Sequence, residues 1–537
     1  MSCYNPVMRS LFHVGSVSGA LGVYVSANVA AKAIGFARTL VFVHLLAGAP
    51  AEYNVWAIGS LMISLAGTAL CLGANQALTR YVSVYQSRGE LAGFVRRVAG
   101  PLLAAPVVLA VPALLAAGWI ASWVAPAGQT VTAADVQVAR AAVLNGAVLA
   151  VYIQMVGLLQ GLRTYRLASA VELFFTVLFT VVAVAWVATT RRGVDLLWGH
   201  LASLAVATAV GLWLTARAIS NDDAAWRDAG VSPAMDAPLA GTPENVKPTS
   251  NNLANGTHNA GETPASRQAA RPVSPLRELL KFGLPALAGQ LAWLAAPYAG
   301  YFVVHRRIGD EQAGVFASWM LLAQVVYFVA NAAWQVVYSH AARQREDDAD
   351  GAFSRLVTSY KALGLLWLAL AGLMYATGPL WMLVLPEKYR LGQELLGGLL
   401  LLYAAMTQTA ILTMTARLLE RPAVIAWSAL AGGAAGALLA WWWTPAHGVG
   451  TEAAWAGGLG MLTGGAAVTV AWVTTRNAHV GARTYVVLFS PALLLTGMVS
   501  PTLAAACTLA LLVAAFVTPI LFSRQEKQTI LHRFRRA

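Results

Sequence analysis

Charged side chains are scarce in this sequence. Only 11% of the 537 residues are Asp, Glu, Lys or Arg, whereas 58% are hydrophobic. An ordinary soluble domain carries about 25% charged residues. The composition therefore excludes a soluble globular domain and indicates a chain that lies mostly in lipid.

Cysteine is also rare. Cys3, Cys71 and Cys507 lie far apart and lack the spacing of metal ligands, which excludes a disulfide framework and a zinc site. The sequence also lacks the Gly-x-x-x-x-Gly-Lys-Ser/Thr loop that binds nucleotide phosphates. We therefore expect no metal, no cofactor and no ATP hydrolysis.

Long apolar runs take up most of the chain. A helix needs about 20 apolar residues to cross a hydrocarbon core about 30 Å thick. Such runs lie at 17–46, 54–78, 98–124, 138–160, 168–189, 194–218, 277–305, 312–338, 359–385, 393–415, 422–444, 451–474, 483–501 and 503–523. Lipid admits only helices and closed barrels, and these runs are continuous, not alternating. The sequence therefore predicts an all-α polytopic membrane protein with about 14 transmembrane helices, least secure at residues 500–503.

The positive charges are distributed unevenly between the two sides of these spans. Most of the 36 Lys and Arg residues fall on one side when both termini are placed there. Cytoplasmic loops carry such an excess, so we predict cytoplasmic N- and C-termini. The net charge of +13 then reflects insertion and anionic lipids, not nucleic acid. The first run continues through Lys32 and Arg38 without a clear cleavage site, so it is predicted to be a retained span and not a signal peptide.

Residues 220–275 interrupt the apolar pattern. They are rich in Pro, Asn, Thr and Ala and contain a single aromatic residue, Trp226. This composition is typical of a disordered linker. We predict a six-helix bundle at 1–219, the cytoplasmic linker at 220–275, and a second six-helix bundle at 276–474. Two additional transmembrane helices at 475–523 and a basic cytoplasmic tail at 524–537 complete the predicted domains.

The two halves contain a weak internal repeat. The segment 48–57 resembles the segment 309–317, and each joins a long first helix to the second. The same spacing in sequence pairs Cys71 with Asn331, Asn75 with Gln335, and Arg80 with His340. An even number of spans separates the copies. The halves are therefore expected to have the same orientation and to be related by an axis along the membrane normal.

These segments resemble a known family, the polysaccharide-type flippases of the multidrug/oligosaccharidyl-lipid/polysaccharide exporter superfamily. The first half has a Gly-x-x-x-x-Tyr loop at 48–53 and Ala-Leu-Thr-Arg-Tyr at 77–81. The second half has Leu-Arg-Glu-Leu-Leu-Lys-Phe-Gly-Leu-Pro at 276–285, similar to the family's entry to its seventh helix. Asn54 departs from the family, which often has Gly there, and the linker is longer than usual.

The resemblance implies an architecture and an activity. It implies two six-helix bundles facing each other in a V, with two further C-terminal helices. It also implies transport of a lipid-linked oligosaccharide from the inner to the outer leaflet of a bacterial cytoplasmic (inner) membrane, for surface or exopolysaccharide biosynthesis. Membrane lipids, a polysaccharide polymerase and assembly proteins are the partners that such an activity implies.

Lys32 is a charge inside a predicted span. A Lys or Arg at the centre of a transmembrane helix costs about 2.5–3.5 kcal/mol on insertion scales. Asn28, Lys32, Gly35 and Thr39 recur at helical spacing and form one polar stripe, which we expect to face a wet interior. Asn28 and Lys32 are therefore candidate ligands of a pyrophosphate. Arg38 lies on another face, and snorkelling to lipid headgroups is an equal alternative for it.

Further candidates lie at other polar positions in the spans. The candidates for binding substrate are Asn75, Arg80, Gln290, Asn331 and Gln335. Arg80 belongs to a ring of arginines at the inner mouth that can collect an anionic headgroup, although positive-inside anchoring explains each of them more simply. Glu172 is a candidate for coupling to a proton or sodium ion; a salt bridge to Arg166 or an ordinary interfacial carboxylate are the alternatives.

Arg306 and Arg307 end the seventh span on the predicted outer side, contrary to the charge bias. Two cations at this position can attract a pyrophosphate arriving at the outer mouth. The alternative is an ordinary surface loop in which Asp310 and Glu311 are the partners of the arginines.

A flippase working by alternating access is the leading interpretation. A peptidoglycan lipid-precursor flippase or a multidrug exporter of the same superfamily is the first alternative. A drug-cation exporter is expected to keep carboxylates, not Lys32, in its cavity. A membrane glycan polymerase or ligase is the second alternative, but the predicted outer loops are short and carry no constellation of Asp, Glu and His. We therefore expect a transporter and not an enzyme.

Overall fold

A computed structural model describes residues 17–87, 90–125, 129–162, 164–228, 275–344, 349–418, 423–474, 482–524 and 526–528. The described residues are almost entirely helical and contain no strand. The predicted all-α polytopic fold is thus confirmed.

The helices are named in chain order. They are α1 (Val17–Leu45), α2 (Pro50–Leu70), α3 (Ala74–Ser87), α4 (Leu91–Leu115), α5 (Ala117–Val124), α6 (Ala133–Gly161), α7 (Tyr165–Thr190), α8 (Gly193–Asp228), α9 (Pro275–Ala295), α10 (Ala299–Arg307), α11 (Asp310–Gln344), α12 (Ala349–Ala376), α13 (Gly378–Trp381), α14 (Leu395–Leu418), α15 (Ala423–Trp443), α16 (Thr451–Thr474), α17 (Ala482–Phe489) and α18 (Pro501–Val517). Three 3₁₀ segments lie at Ala296–Tyr298, Glu387–Glu394 and Ser490–Met498. Each predicted span coincides with one helix or with consecutive helical segments.

Nine helices in the described part of the chain are long and apolar enough to cross a membrane, by length and composition. The segments Ala482–Met498 and Pro501–Val517 are shorter apolar helices. The break between them falls at Val499 and Ser500, because Pro501 cannot continue a helix but is well placed in a first turn. The predicted division of the last apolar region into two segments therefore has a local cause.

Proline also interrupts the seventh predicted span. Pro297 lies in the 3₁₀ segment that separates α9 from α10. A proline inside a helix removes one backbone hydrogen bond and its ring clashes with the preceding turn. The seventh span consequently consists of two helices, and α10 carries Tyr301 and His305 toward the start of α11.

The halves of the chain meet at both ends of the helices. We call the end where α1 stops and α2 begins the distal end, and the end where α8 stops and α9 begins the linker end. At the distal end, Phe42 and Trp56 belong to the same buried cluster as Tyr301 and Phe316. At the linker end, Leu279 is buried with the side chains of α3. The two halves thus share apolar cores at opposite ends of the molecule.

Loops are also tied together at the distal end. The Arg191 guanidinium donates to the carbonyl of Leu45 at 2.6 Å, and the Gly193 N–H donates to the Glu52 carboxylate at 2.6 Å. Lys388 of the second half donates to the carbonyl of Gly48 in the first half at 2.9 Å. The first loop of the chain is therefore held by both halves.

The predicted repeat has a counterpart in the helix boundaries. Helix α2 begins at Pro50 and α11 begins at Asp310, the same spacing that relates Asn54 to Gly314. The two helices pack against each other, and Gly314 lies against the carbonyl of Pro50, where a Cβ would come within 2.2 Å of the oxygen. The equivalent second spans therefore meet where they begin.

The predicted linker begins later than expected, because α8 continues through Asp228. Residues 220–228 are helical, and residues 229–274 lie outside the described residues. The sequence of residues 220–228, with Asp222, Asp223 and Trp226, contains no proline and is compatible with a helix. The prolines that break helices begin at Pro233.

A left-handed turn at 71–73 separates α2 from α3. Leu72 and Gly73 have φ of 52° and 69°. A Cβ on Gly73 would lie 2.0 Å from the carbonyl oxygen of Gly283 in α9, so glycine is required both by the backbone conformation and by the contact between the halves.

We expect Gly73→Ala to destabilise the folded protein by about 2 kcal/mol, since an alanine in the left-handed region costs about 1–2 kcal/mol and the α9 backbone must also move. Gly93→Ala in α4 is the matched control, because its Cβ would meet no atom within 4 Å. Thermal unfolding in detergent measures both. Equal melting temperatures for the two variants would contradict this account of Gly73.

The segment after α18 folds back on α12 through a buried lysine. Lys361 donates to the carbonyl of Leu521 at 3.1 Å and to the Glu526 carboxylate at 2.5 Å, and Thr358 also donates to Glu526. Burial raises the pKa of Glu526, but hydrogen bonds from Lys361 and from the backbone N–H of Ser523 lower it by more. The pKa of Glu526 is therefore below its ordinary value.

This contact should weaken in acid. Because the pKa of Glu526 is lower in the folded state, its stabilisation is present above the pKa of the unfolded state and is lost as pH falls through the folded pKa. Glu526→Gln should lower stability at neutral pH by on the order of 3 kcal/mol, since it leaves the Lys361 charge buried without a counterion. The variant should also lose part of the acid dependence of the melting temperature. Glu387→Gln, at an exposed position, is the control and should change neither property.

Candidate functional site

A polar cluster, buried except for the partly exposed Asp310, joins the two halves at the distal end. Asn54 of α2 is 2% exposed, and its amide donates to Asp310 at 3.0 Å. The Tyr301 hydroxyl donates to the Asn54 carbonyl oxygen at 2.5 Å. His305 Nδ1 lies 2.9 Å from the same Asp310 oxygen and 3.3 Å from the Asn54 amide nitrogen. One side chain of the first half is thus held by three of the second half.

A cavity of about 50 Å³ opens beside this cluster. Its polar lining consists of Asn54, His305, Asp310 and Asp135. Asp135 belongs to a capping box at the start of α6, where it accepts hydrogen bonds from the N–H and hydroxyl of Thr132. The remaining lining is apolar and comes from α2, α5 and α6. The cluster is therefore next to space large enough to hold water.

Lys32 lies between the halves in the middle of α1. Its side chain is exposed, and its ammonium group lies 5.5 Å from the centre of the Phe328 ring on α11. Helices α1 and α11 pack together, so this contact crosses from one half to the other. Lys32 forms no salt bridge with the described residues. The predicted role of Lys32 on a polar stripe that faces a wet interior stays a prediction.

Arg38 is partly buried in the first half, where it packs against aromatic rings. Its guanidinium lies 4.3 Å from the centre of the Phe179 ring and 6.0 Å from that of Phe42. Its Nε is buried without a hydrogen-bond partner, and no carboxylate in the described part of the chain contacts it. Of the two interpretations of Arg38, these contacts favour a position against the aromatic rings of α1 and α7 over snorkelling.

His200 shares this aromatic interior. Its ring packs edge-on against Phe179 at 4.8 Å and against Phe175 at 5.4 Å. His200 Nδ1 lies 2.8 Å from the side-chain oxygen of Asn145, whose amide donates to the carbonyls of Ala141 and Leu197. Asn145 thus fixes the histidine ring, and Arg38 and His200 pack against the same Phe179 ring.

Asn75 lies at the linker end of the first half. Its carbonyl accepts a hydrogen bond from the Thr79 hydroxyl at 2.9 Å, and its side-chain oxygen is buried without a partner. A Cβ on Gly157 would touch the backbone of Asn75, so α3 and α6 are close here. Asn75 is therefore an available acceptor near the turn at 71–73, far along the chain from Lys32.

Gln290 is partly buried on α9. The neighbouring Trp293 donates from its indole to the Tyr327 hydroxyl at 3.2 Å, and the Tyr327 ring lies 6.0 Å from that of Phe328. The surface of the second half that faces Lys32 is thus aromatic. Four predicted site residues lie outside the described side chains, namely Asn28, Arg80, Asn331 and Gln335.

Arg306 and Arg307 are held at the distal end by other groups than the predicted carboxylates. Arg307 donates to the carbonyl of Thr444 at 2.8 Å and lies over the Trp441 ring at 4.3 Å. Arg306 reaches the carbonyl of Ser122 at 3.5 Å. Asp310, the expected loop partner, is paired with His305 instead.

Glu172 is partly buried on α7, one turn before Thr176, whose hydroxyl donates to the Glu172 backbone carbonyl. Its carboxylate has no partner in the part of the chain that the structure describes. The position is compatible with the predicted ion-coupling role, which stays a prediction.

Sequence reasoning missed the residues that the structure brings together at the distal end. Asn54 attracted attention only as a departure from a family pattern, and Asp310 only as a loop partner. The sequence nevertheless carried a signal for the cluster around Asn54 and for the aromatic interior around Arg38 and His200. All three are polar residues within apolar runs. Their partners come from distant parts of the sequence, which no local pattern indicates.

The geometry can be compared with known proteins. No protein-family model and no curated protein matches the sequence. A crystal structure of MATE in complex with MaL6 matches with 14% identity and a TM-score of 0.51, covering 86% of this chain and 98% of that chain. An inward-facing multidrug resistance MATE family transporter of the MOP superfamily matches with 15% identity and a TM-score of 0.50, covering 84% and 100%.

A third similar structure is a MOP superfamily transporter from Pyrococcus furiosus, described as having a binding pocket of reverse polarity that suggests a different function. It shares 15% identity and a TM-score of 0.51, covering 89% of this chain and 98% of that chain. At such identities the likeness concerns the fold. The chain has the fold of MATE transporters of the MOP superfamily, and it is a multi-pass membrane protein.

The charge of Arg38 should lower the stability of the folded protein. A buried charge without a counterion is unfavourable, and an apolar side chain of similar length removes that cost. We expect Arg38→Met to raise stability by about 1 kcal/mol, measured by thermal unfolding in detergent. Arg217→Met is the matched control: Arg217 also lies over an aromatic ring, that of Trp213 at 4.1 Å, but it is exposed. A lower melting temperature for Arg38→Met would contradict the absence of a counterion.

Proposed function

We propose that the protein is a flippase that moves an anionic, polyprenyl-pyrophosphate-linked oligosaccharide across the membrane by alternating access. The observation that carries the proposal is the pair of cations on α1. Lys32 lies between the halves, Arg38 lies within the first half, and neither forms a salt bridge with the described residues. Membrane interiors retain uncompensated charges where a substrate or ion needs them.

The spacing of these cations suits an extended anionic headgroup. Six residues separate Lys32 from Arg38, which corresponds to about 9 Å along a helix. The two cations lie on different faces of α1, so Lys32 would attract the pyrophosphate as a point charge from the side of the second half, and Arg38 would add to the positive field from within the first half. The ring of Phe328 opposite Lys32 offers an apolar face of the kind that contacts sugar rings or the lipid chain.

The shared fold supports transport by two halves that move against each other. The two halves meet at both ends of the molecule, so exposure of the space between them requires one set of contacts to break. We propose that the linker end faces the cytoplasm of a bacterial cell, and that the product is consumed by a polysaccharide polymerase on the other side.

A multidrug exporter is the second candidate, favoured by the fold that this chain shares with a multidrug resistance MATE family transporter. A cationic drug needs an available carboxylate. The described candidate is Glu172, since Asp310 is paired with His305 and Asn54. The sign of the charges on α1 favours an anionic substrate over a cationic drug.

Flipping in reconstituted vesicles tests the proposal. The protein is placed in vesicles that contain a fluorescent polyprenyl-pyrophosphate oligosaccharide, and loss of fluorescence to an impermeant quencher reports movement between leaflets. Lys32→Ala and Arg38→Ala should each slow flipping about 10-fold or more, because a charge-assisted contact contributes about 1.5–3 kcal/mol.

Two control variants distinguish a specific effect of the charge at position 32 from a general effect on the protein. Lys32→Arg should keep most of the rate, and Lys281→Ala, an exposed cation of α9, should keep all of it. A protein that moves no labelled lipid but exports a cationic dye, with export lost in Glu172→Gln, would contradict the flippase proposal in favour of the drug exporter.

A further inference from the structure

The distal polar cluster of Asn54, Tyr301, His305 and Asp310 is not used by the proposed substrate path. Asn54 donates to Asp310 and accepts from Tyr301, so both ends of its carboxamide are paired across the two halves. Tyr301 and His305 are also buried, at 1% and 3% exposed. The hydrogen bonds therefore fix both the position and the orientation of the Asn54 carboxamide.

Separation of the halves would break these bonds together. Asn54 lies on α2, whereas its partners lie on α10 and α11. The backbone carbonyl of Pro50 lies against Gly314, and Lys388 holds Gly48, so the same movement also parts these loops. The cluster lies where α2 and α11 begin, which is the place where an opening at the distal end starts.

Asn54, Tyr301 and His305 are buried, whereas the Asp310 side chain is 41% exposed. A buried polar group that loses its partner is destabilised unless water replaces the partner. The cavity beside the cluster is lined by Asn54, His305, Asp310 and Asp135. These polar walls can hold water next to the bonds that must break. Hydration from the cavity thus lowers the cost of opening without weakening the closed pairing.

We propose that Asn54 and its three partners form a hydrated latch that holds the distal end closed and sets the fraction of time for which it opens. This inference rests on the proposed alternating-access cycle, but not on the identity of the substrate. Tyr301 and Asp310 hold the carboxamide in place, His305 positions the Asp310 carboxylate, and the cavity provides the water that enters when the halves part.

An exchange of side chains between the two halves tests the latch. Asn54→Asp would set a carboxylate against Asp310 at the position of the present 3.0 Å hydrogen bond. Charge repulsion should then open the distal end. Adding Asp310→Asn in the same chain restores an amide opposite a carboxylate. In this double variant the residue at 310 donates and the residue at 54 accepts, the reverse of the native pair. The measurements are made at pH 8, where unpaired carboxylates are charged.

The readout is a distance between spin labels across the distal end, in nanodiscs. Labels at Arg192 and Glu387, both exposed, report the two halves in a chain without its native cysteines. We expect Asn54→Ala to raise the ratio of open to closed molecules about 10-fold, because one buried pairing of about 1.4 kcal/mol corresponds to that factor. Asn54→Asp should open the protein further, and the double variant N54D/D310N should return it toward the native ratio.

A pair of tyrosine variants controls for packing. Tyr301→Phe removes only the hydroxyl that donates to Asn54 and should raise the open fraction. Tyr298→Phe removes a hydroxyl three residues earlier and should leave it unchanged. A native distance distribution in both Asn54→Ala and Asn54→Asp would overturn the proposal, as would a double variant no closer to native than Asn54→Asp. So would equal effects of the two tyrosine variants.

The outcome is separable from that of the proposed function. If the labels show the expected opening but the vesicles show no movement of lipid-linked oligosaccharide, the latch stands and the substrate assignment fails. If flipping depends on Lys32 and Arg38 but the distances do not respond to Asn54, the latch fails and the substrate assignment stands.

Discussion

The lack of water in the hydrocarbon interior is the constraint on which this structure depends. Backbone N–H and C=O groups have no partner in lipid, so the described residues form helices almost without interruption. Two departures lie where another segment of the protein is close by. The turn at 71–73 packs against the backbone of Gly283, and the break near Pro297 carries α10 toward Asn54. Irregular backbone and polar side chains thus occur at the contacts between the halves.

The same constraint separates two kinds of buried polar group. Asn54 and its partners satisfy one another across the halves, as does Asn145 with His200 inside the first half. Lys32 and Arg38, in contrast, have aromatic rings as neighbours and no counterion among the described residues. The satisfied groups stabilise one arrangement of the helices, whereas unsatisfied cations lower stability and remain available to a ligand. This contrast is the basis for proposing a gating role for Asn54 and its partners and a binding role for Lys32 and Arg38.

Prediction from sequence succeeded where the signal is local. The apolar runs gave an all-α polytopic fold, and each predicted span is a helix or consecutive helical segments. The charge of Lys32 within a run marked it as a candidate ligand, and this role stays a prediction. Arg38 has the same composition signal, but that signal left the direction of its side chain open. One helix turn decides whether an arginine meets headgroups or the rings of Phe42 and Phe179, and the neighbouring helices decide which of these it meets.

The sequence by itself determined the helical class, the spans and the presence of charges that lipid does not tolerate without a reason, because each depends on the transfer of nearby residues from water. Only the tertiary structure decided the partners of those charges. Asn54 and Asp310 lie far apart in the chain and meet because α2 and α11 pack at the distal end. A hydrogen bond of this kind depends on the relative placement of two helices to within fractions of an ångström, and hydropathy carries no such information.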